Sequence, residues 1–153
     1  QKGYSEEWIR QRIQSITIRK KLTNEWKLRG AVKSDYNIFT AIMSEATFGL
    51  KPSEHKQVKG LSRENLRDHM TDIELTLTML GEATAKELHK TNNTKGRDDL
   101  IKDVKDAGNI AGNARKQIEL KTGKSVVSSE NYLGLNEQKK LEMVTNEDWV
   151  FSS

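Results

Sequence analysis

Proline is nearly absent from this chain, and that scarcity constrains its fold more than any other sequence feature. Its 153 residues include one proline, Pro52. A proline inside a helix kinks or ends it, so long runs of good helix formers continue here without interruption. Apolar residues recur at helical spacing, most clearly from Leu100 to Ile118. The sequence predicts an all-α fold, an irregular helical domain with a long N-terminal helical arm and a short extended piece near Val126.

Capping residues mark the expected ends of the helices. Thr71 and Glu74 have the spacing of a capping box, in which each side chain binds the backbone N–H of the other residue. Gly49 and Gly123 follow periodic segments and are typical residues just past a helix end. Ser34 or Asp35 and Ser62 are expected to open further helices, and Pro52 with Ser53 is expected to open a short turn or helix. The predicted helices cover about 5–29, 35–48, 53–59, 63–70, 71–90, 97–122 and 136–144.

One segment carries a competing signal. From Ile73 to Met79, apolar residues alternate with polar ones, which is the period of a β-strand. Leu77, Leu80 and Leu88 continue at helical spacing, and the capping box precedes them, so we expect a helix. The rival prediction is an α+β domain with 73–79 as a strand.

Small residues lie in the middle of the helix predicted at 97–122. Ala107, Gly108 and Ala111 share its apolar stripe. They are expected to let another backbone approach closely.

Composition restricts the class of protein. Apolar residues make up 34% of the chain and charged residues 31%, and there is no cysteine. A disulfide framework, a thiolate nucleophile and a cysteine-based zinc site are therefore excluded. We find neither an apolar run long enough to cross a membrane nor a signal-peptide pattern. We expect a bacterial cytoplasmic protein, and Gln1 suggests that the chain begins inside a longer one.

Positive charge is concentrated near the N-terminus. The net charge of the chain is +4, and residues 1–33 alone carry nine Lys and Arg against three acids. Such asymmetry is compatible with a nucleic-acid or acidic-protein partner, or with helix surfaces that simply face water. The candidate contacts to a nucleic acid or partner are Arg10, Arg12, Arg19, Lys20, Lys21, Lys59, Arg63, Arg67, His69, Asn113, Arg115 and Lys116.

Patterns of catalytic or metal-binding residues are not found. The three histidines, His55, His69 and His89, are scattered outside any zinc-binding spacing. An acidic group at 98, 99, 103 and 106 is the best alternative, because carboxylates hold the metal of some nucleases. Asp98 and Asp99 are better explained by the helix dipole, which favours acids at an N-terminus. We expect no enzyme activity, no cofactor and no metal.

The N-terminal segment combines the positive charge with a broad apolar arc. Trp8, Ile13 and Trp26 lie in or next to this arc, which looks too wide for one core contact. Exposed apolar surface of that kind usually marks association. We therefore expect an interface through these three residues, with a homodimer as one form of it. The predicted division is a basic arm or linker at 1–33, a helical domain at 34–127 and a tail with a short helix at 128–153.

Three stretches resemble the C-terminal region of the DNA damage-inducible protein D family, which is related to BRO-type phage antirepressors. The first is Tyr-Asn-Ile-Phe at 36–39 leading to Phe-Gly-Leu at 48–50. The second is Lys-Gly-Leu at 59–61, then Leu66, Asp-His-Met at 68–70 and Glu-Leu at 74–75. The third is Ala-Gly at 107–108, Ala-Gly-Asn-Ala-Arg at 111–115 and Thr-Gly at 122–123.

The resemblance, which spans residues 36–127, implies a function. It implies a non-catalytic module of the DNA-damage (SOS) response that binds the recombinase filament or its nucleoprotein and modulates recombinational repair. The alternative is a DNA-binding antirepressor or transcription regulator of phage type. Asp68 and His69 within the second stretch are expected to cap or brace a helix junction.

Overall fold

Residues 4–133 are described in a computed structural model, and they form helices joined by short connections. The predicted helix at 136–144 lies outside the described residues. Within 4–133 there is no strand, so the all-α prediction is confirmed and the rival strand at 73–79 is wrong. The α-helices are α1 Glu6–Leu28, α2 Asp35–Phe48, α3 Pro52–Val58, α4 Asp72–Asn92 and α5 Arg97–Thr122, and a 3-10 helix covers Leu66–His69.

The capping box predicted at the start of α4 is present. The Thr71 N–H donates to Glu74 Oε1 at 2.8 Å, and the Glu74 N–H donates to Thr71 Oγ1 at 3.4 Å. Gly49 and Gly123 end α2 and α5 in the left-handed conformation, with φ of 75° and 72°. The capping box therefore favours a helix at 73–79 over the strand that the alternating pattern predicts. It does so because it binds two N–H groups that a helix start leaves unpaired.

One predicted helix and one predicted cap need correction. The helix expected at 63–70 shrinks to the 3-10 turn at Leu66–His69, because the Asn65 side chain accepts from the Arg67 N–H and begins the turn there instead. At the start of α2, Ser34 makes no side-chain capping bond. Asp35 instead accepts from the Val32 N–H at 3.0 Å, and its carboxylate tightens the turn between α1 and α2.

Helix α4 lies at the centre of the arrangement and packs against α1, α2 and α5. Residues of α1 meet α4 residues about 63 positions later, as Arg19 meets Glu82 and Trp26 meets His89, so these two helices run parallel. Helix α5 returns antiparallel to α4, since His89 near the end of α4 contacts Asp103 near the start of α5. Among the described helices, none is long and apolar enough to cross a membrane.

The predicted N-terminal arm is part of the core. Trp26 is fully buried and lies in one apolar cluster with Leu22, Phe39 and Leu100. Trp8 is 1% exposed and belongs to a second cluster at the other end of the bundle. The prediction that these tryptophans form an interface is therefore wrong, because both side chains are covered by their own chain. Ile13 is half-buried.

The small residues of α5 allow the close approach that the sequence predicts. A Cβ atom on Gly108 would lie 2.7 Å from the Cβ of Ala46, and one on Gly112 would lie 2.2 Å from the Ala46 carbonyl oxygen. Helix α2 therefore crosses α5 nearly backbone to backbone at these two glycines. Gly81 on α4 is different, because its nearest neighbour to an added Cβ is Thr47 Oγ1 at 3.5 Å.

Substitution by alanine should lower the stability at a glycine of the close crossing and raise it at Gly81. Gly112→Ala must push α2 away from α5, and we expect the free energy of unfolding to fall by about 1–3 kcal/mol, the usual cost of overpacking. Gly81→Ala meets ordinary contacts and removes a flexible residue from a helix, so we expect a gain of about 0.5–1 kcal/mol. Urea unfolding measures both. Equal effects of the two substitutions would contradict the close crossing.

Candidate partner-binding surface and the buried charges behind it

The twelve predicted contact residues divide into an internal and an external group. Six of them lie inside the fold or are bonded to it: Arg12, Arg19, Lys59, Arg67, His69 and Arg115. The other six are exposed: Arg10, Lys20, Lys21, Arg63, Asn113 and Lys116. The internal group has charged or polar atoms bonded within the chain, so the exposed group is better placed to meet a partner, and the predicted contact role stays a prediction for both groups.

Arg12 joins α1 to the 3-10 helix. Its side chain is 4% exposed, and Nε donates to Asp68 Oδ1 at 2.9 Å. The neighbouring Tyr4 hydroxyl donates to the Asp68 carbonyl oxygen at 2.8 Å, and Trp8 Nε1 donates to the Met70 carbonyl oxygen at 2.9 Å. The expectation that Asp68 braces a helix junction is confirmed.

Glu82 on α4 is buried between two arginines. Both of its oxygens accept from the Arg67 guanidinium, at 3.0 and 2.5 Å, and Oε2 also accepts from Arg19 Nη1 at 3.2 Å. The Arg19 guanidinium lies 5.1 Å from the ring centre of Trp26. Burial by itself raises the pKa of Glu82, but the Arg67 and Arg19 charges outweigh burial and hold this pKa below its ordinary value.

Glu74 on α4 is the second buried carboxylate. It binds His55 Nε2 at 3.0 Å and Lys59 Nζ at 2.6 Å, and none of these three side chains is exposed. Burial raises the pKa of Glu74, while the bonds from His55 and Lys59 lower it by more, so the carboxyl stays ionised. His55 Nδ1 is buried without a hydrogen-bond partner among the described residues. These contacts tie α3 to α4.

The same group holds the segment after α5. Lys59 Nζ donates to the carbonyl oxygens of Ser128 and Glu130, at 2.8 and 2.9 Å. The Ser128 N–H donates to Glu74 Oε2 at 3.1 Å, and the Tyr132 N–H donates to His69 Nδ1 at 2.9 Å. The short piece near Val126 is therefore an irregular segment, residues 126–132, which we call the strap. Its backbone groups bind side chains of the helical part, which explains why it forms no helix or strand.

His89 closes the opposite end of the bundle. Its Nε2 accepts from Trp26 Nε1 at 3.1 Å, and its Nδ1 lies 2.9 Å from Asp103 Oδ2, so the neutral ring donates to Asp103. Asp103 also accepts from Thr94 and Asn92. The acidic group at 98–106 is therefore split, since Asp103 is internal while Asp98, Asp99 and Asp106 are exposed. No set of three His, Asp or Glu side chains within 4–133 is arranged to hold a metal ion.

Arg115 joins α5 to the end of α2. Its Nε donates to the Thr47 carbonyl oxygen at 2.7 Å, and Nη1 donates to Glu119 at 2.8 Å. That carbonyl lies in the last turn of α2, where an α-helix leaves its oxygens unpaired. Arg115 therefore caps α2 from a neighbouring helix.

The sequence analysis did not predict that Glu74 and Glu82 are buried and paired with cations. Both lie on the buried face of α4 with Leu75, Leu77 and Ala85. A signal for them was present, because an acid within an apolar stripe of a helix is seldom buried without a cationic partner. The sequence does not reveal which of the many lysines and arginines supply that partner.

The outer face of α1 carries exposed cations. Arg10, Lys21 and Lys27 are exposed along it, with Gln14 and Asn24 between them. The sequence has no acidic residue between Glu7 and Glu25, and Glu25 is engaged by Arg29 at 2.8 Å. The inner-face cations Arg12 and Arg19 are compensated by Asp68 and Glu82, so the net positive charge of this helix faces outward.

Comparison of the chain with known protein families, with curated proteins and with solved structures found no match. The resemblance to the damage-inducible family therefore rests on the three sequence stretches alone. In this structure their residues have structural roles: Phe39 is core, Lys59 holds the strap and Gly112 lets α2 approach α5. These three residues of the motifs therefore support the packing of the helices and of the strap.

His89 provides a test by pH. Burial is the largest cause that lowers its pKa in the folded chain below the ordinary 6.5, and it outweighs the Asp103 carboxylate, which raises it. The unfolded chain therefore binds the proton first as the pH falls. The stability contributed by neutral His89 is complete above about pH 6.5 and is lost as the pH falls toward the folded pKa.

We expect the His89 ring to titrate below pH 6.5 in an NMR titration. We also expect the free energy of unfolding to fall between pH 7 and pH 5, and to fall less in His89→Gln, which has no titrating ring. A His89 ring that protonates at or above pH 6.5 without loss of the Trp26 indole hydrogen bond would contradict the assigned tautomer.

Proposed function

We propose that this domain is a non-catalytic module of the bacterial DNA-damage response that binds the recombinase filament, or its nucleoprotein, and modulates recombinational repair in the cytoplasm. Two observations support the proposal. The three sequence stretches resemble the damage-inducible protein D family, and α1 presents an exposed basic face.

The basic face of α1, defined by Arg10, Lys21 and Lys27 with Gln14 and Asn24 between them, is the observation that carries the proposal. At about 1.5 Å of rise per residue, it extends for about 25 Å along the helix. Cations and amides in that arrangement suit the oxygens of a phosphate backbone, which take most of the hydrogen bonds in nucleic-acid complexes. A nucleoprotein filament offers a regular series of such phosphates.

The pairing of the internal arginines explains why the basic face of α1 keeps a net positive charge. Arg12 and Arg19 are turned inward onto carboxylates of other elements, and the outward positions of α1 between Glu7 and Glu25 carry cations and no acid. A continuous positive potential along a surface attracts a polyanion and speeds its association. Phosphate contacts of this type do not read base sequence, which suits a partner that is assembled on any DNA.

The alternative, a DNA-binding regulator of phage type, would use the same face differently. A regulator must read base edges in a groove, whereas a filament-binding module needs the protein as well as the phosphates. Binding to naked duplex DNA that equals binding to the filament favours the regulator. Binding that requires the assembled filament favours the proposed module.

A matched pair of triple variants tests the proposal. Arg10→Ala, Lys21→Ala and Lys27→Ala together remove three charges from the basic face. Lys105→Ala, Lys121→Ala and Lys124→Ala remove three charges from exposed positions on or just after α5. Affinity for recombinase filaments assembled on single-stranded DNA is measured by fluorescence anisotropy over a range of salt concentrations.

We expect the first variant to lose at least tenfold in affinity. Its slope of log affinity against log salt should fall by about 0.7–0.9 for each lost phosphate contact, while the α5 control stays near the wild type. A wild-type chain that does not bind filaments would overturn the proposed function. Equal losses in both variants would show that overall charge, and not this face, is what the filament attracts.

A further inference from the structure

A cavity of about 160 Å³ opens between α2, the 3-10 helix and α4, apart from the basic face of α1. Its walls are mainly apolar, and they include the side chains of Met43, Phe48, Leu66 and Met70. An aromatic ring fits a space of this size, since a dry apolar cavity of about 150 Å³ binds benzene. The two methionines are suited to hold a ring, because their sulfur atoms make favourable contacts with aromatic groups.

Charge is concentrated at one wall of this cavity, where Arg67 and Glu82 lie. Glu82 is shared by Arg67 and Arg19, so two guanidiniums face one carboxylate and the group has a net charge of +1. No other carboxylate within residues 4–133 pairs with either arginine. The Arg67 and Arg19 side chains are only 17% and 24% exposed, so water compensates this extra charge incompletely.

Arg67 retains donors for an anion. Two of its five N–H groups, one on each Nη, bind Glu82 end-on. No acceptor within the described part of the chain binds its Nε–H. A guanidinium has a second edge, formed by Nε–H and one Nη–H, that receives a carboxylate in the same bidentate manner.

We propose that this cavity binds a small monocarboxylate with a compact apolar body, of the aryl or branched-alkyl type. The carboxylate takes the free edge of Arg67 and neutralises the Arg–Glu–Arg group. The apolar body occupies the space between Met43, Phe48 and Met70. Apolar volume alone would accept any small hydrocarbon, so the extra positive charge is the element that selects an acid. The site is independent of the basic face and of the proposed filament binding.

Benzoate and benzamide form the matched pair of probes, because they share one ring and differ in the carboxylate. Each is titrated into the full chain carrying ¹³C-methyl methionine, and the methyl signals are followed by NMR. We expect benzoate to shift Met43 and Met70, which line the cavity, and to leave Met79, which does not line it, unchanged. We expect benzamide to bind at least tenfold more weakly.

Two variants locate the binding. Ser44 lines the cavity and is half-buried, so Ser44→Leu places a larger side chain in the space without touching the arginines. We expect it to weaken benzoate binding at least tenfold, while Ser53→Leu on the exposed side of α3 has no effect. Should Ser44→Leu fail to fold, the ratio of benzoate to benzamide affinity and the pattern of methyl shifts decide the question alone.

Three results would overturn the proposal. They are equal binding of benzoate and benzamide, benzoate shifts that miss Met43 and Met70, and undiminished binding to folded Ser44→Leu. None of them bears on filament binding, which is measured through different residues. A chain that binds benzoate at this cavity and ignores filaments would uphold this site and contradict the proposed function.

Discussion

Helix α4 carries Glu74, Glu82 and His89 on its buried face, and each of these side chains is bonded to a different part of the chain. Glu74 holds α3 and the strap after α5, Glu82 holds α1 and the 3-10 helix, and His89 holds the end of α1 and the start of α5. A buried charge without its partner costs several kcal/mol, on the order of 3–5. The bonds of the two carboxylates therefore penalise arrangements in which their elements are displaced, while neutral His89 adds hydrogen bonds to Trp26 and Asp103.

Some charged side chains are paired inside the fold and others are exposed, and this difference links the fold to the proposed function. Apolar residues make up only 34% of the chain, so a large apolar core is not available to select one arrangement of the helices. Some of the arginines and lysines that the sequence predicts to contact a partner form internal bonds that hold the helices in this arrangement. The exposed cations are unequally distributed, and the outer face of α1 carries Arg10, Lys21 and Lys27 with no acidic residue in the sequence between Glu7 and Glu25.

Local features of the fold were predictable from the sequence. The capping box at Thr71 and Glu74 and the close crossing at Gly108 depend on residues near one another in the chain or on one helix face, and both are found. The helix expected at 63–70 failed because Asn65 offers the backbone a competing turn, which a cap at Ser62 does not reveal.

Long-range pairings were not predictable from the sequence. Trp8 and Trp26 lie on a wide apolar arc, and a helical wheel cannot tell whether a partner or the chain itself covers it. Likewise Arg12 and Arg10 are two positions apart and chemically identical, but one bonds Asp68, 56 residues away, and the other is exposed. Which cation is internal depends on how α4 and the 3-10 helix are placed against α1, and this is a property of the tertiary arrangement.

A thermodynamic cycle at Glu82 tests most directly whether the buried charges of α4 specify the fold. The free energy of unfolding is measured for wild type, Arg67→Met, Glu82→Leu and the double variant. We expect Glu82→Leu to lose about 3–5 kcal/mol, because it leaves the Arg67 and Arg19 charges without a carboxylate. We expect Arg67→Met to lose less, because Arg19 still pairs with Glu82. We expect the double variant to be more stable than Glu82→Leu, since only the Arg19 charge then lacks its partner. Losses that are small, or that simply add in the double variant, would contradict this account.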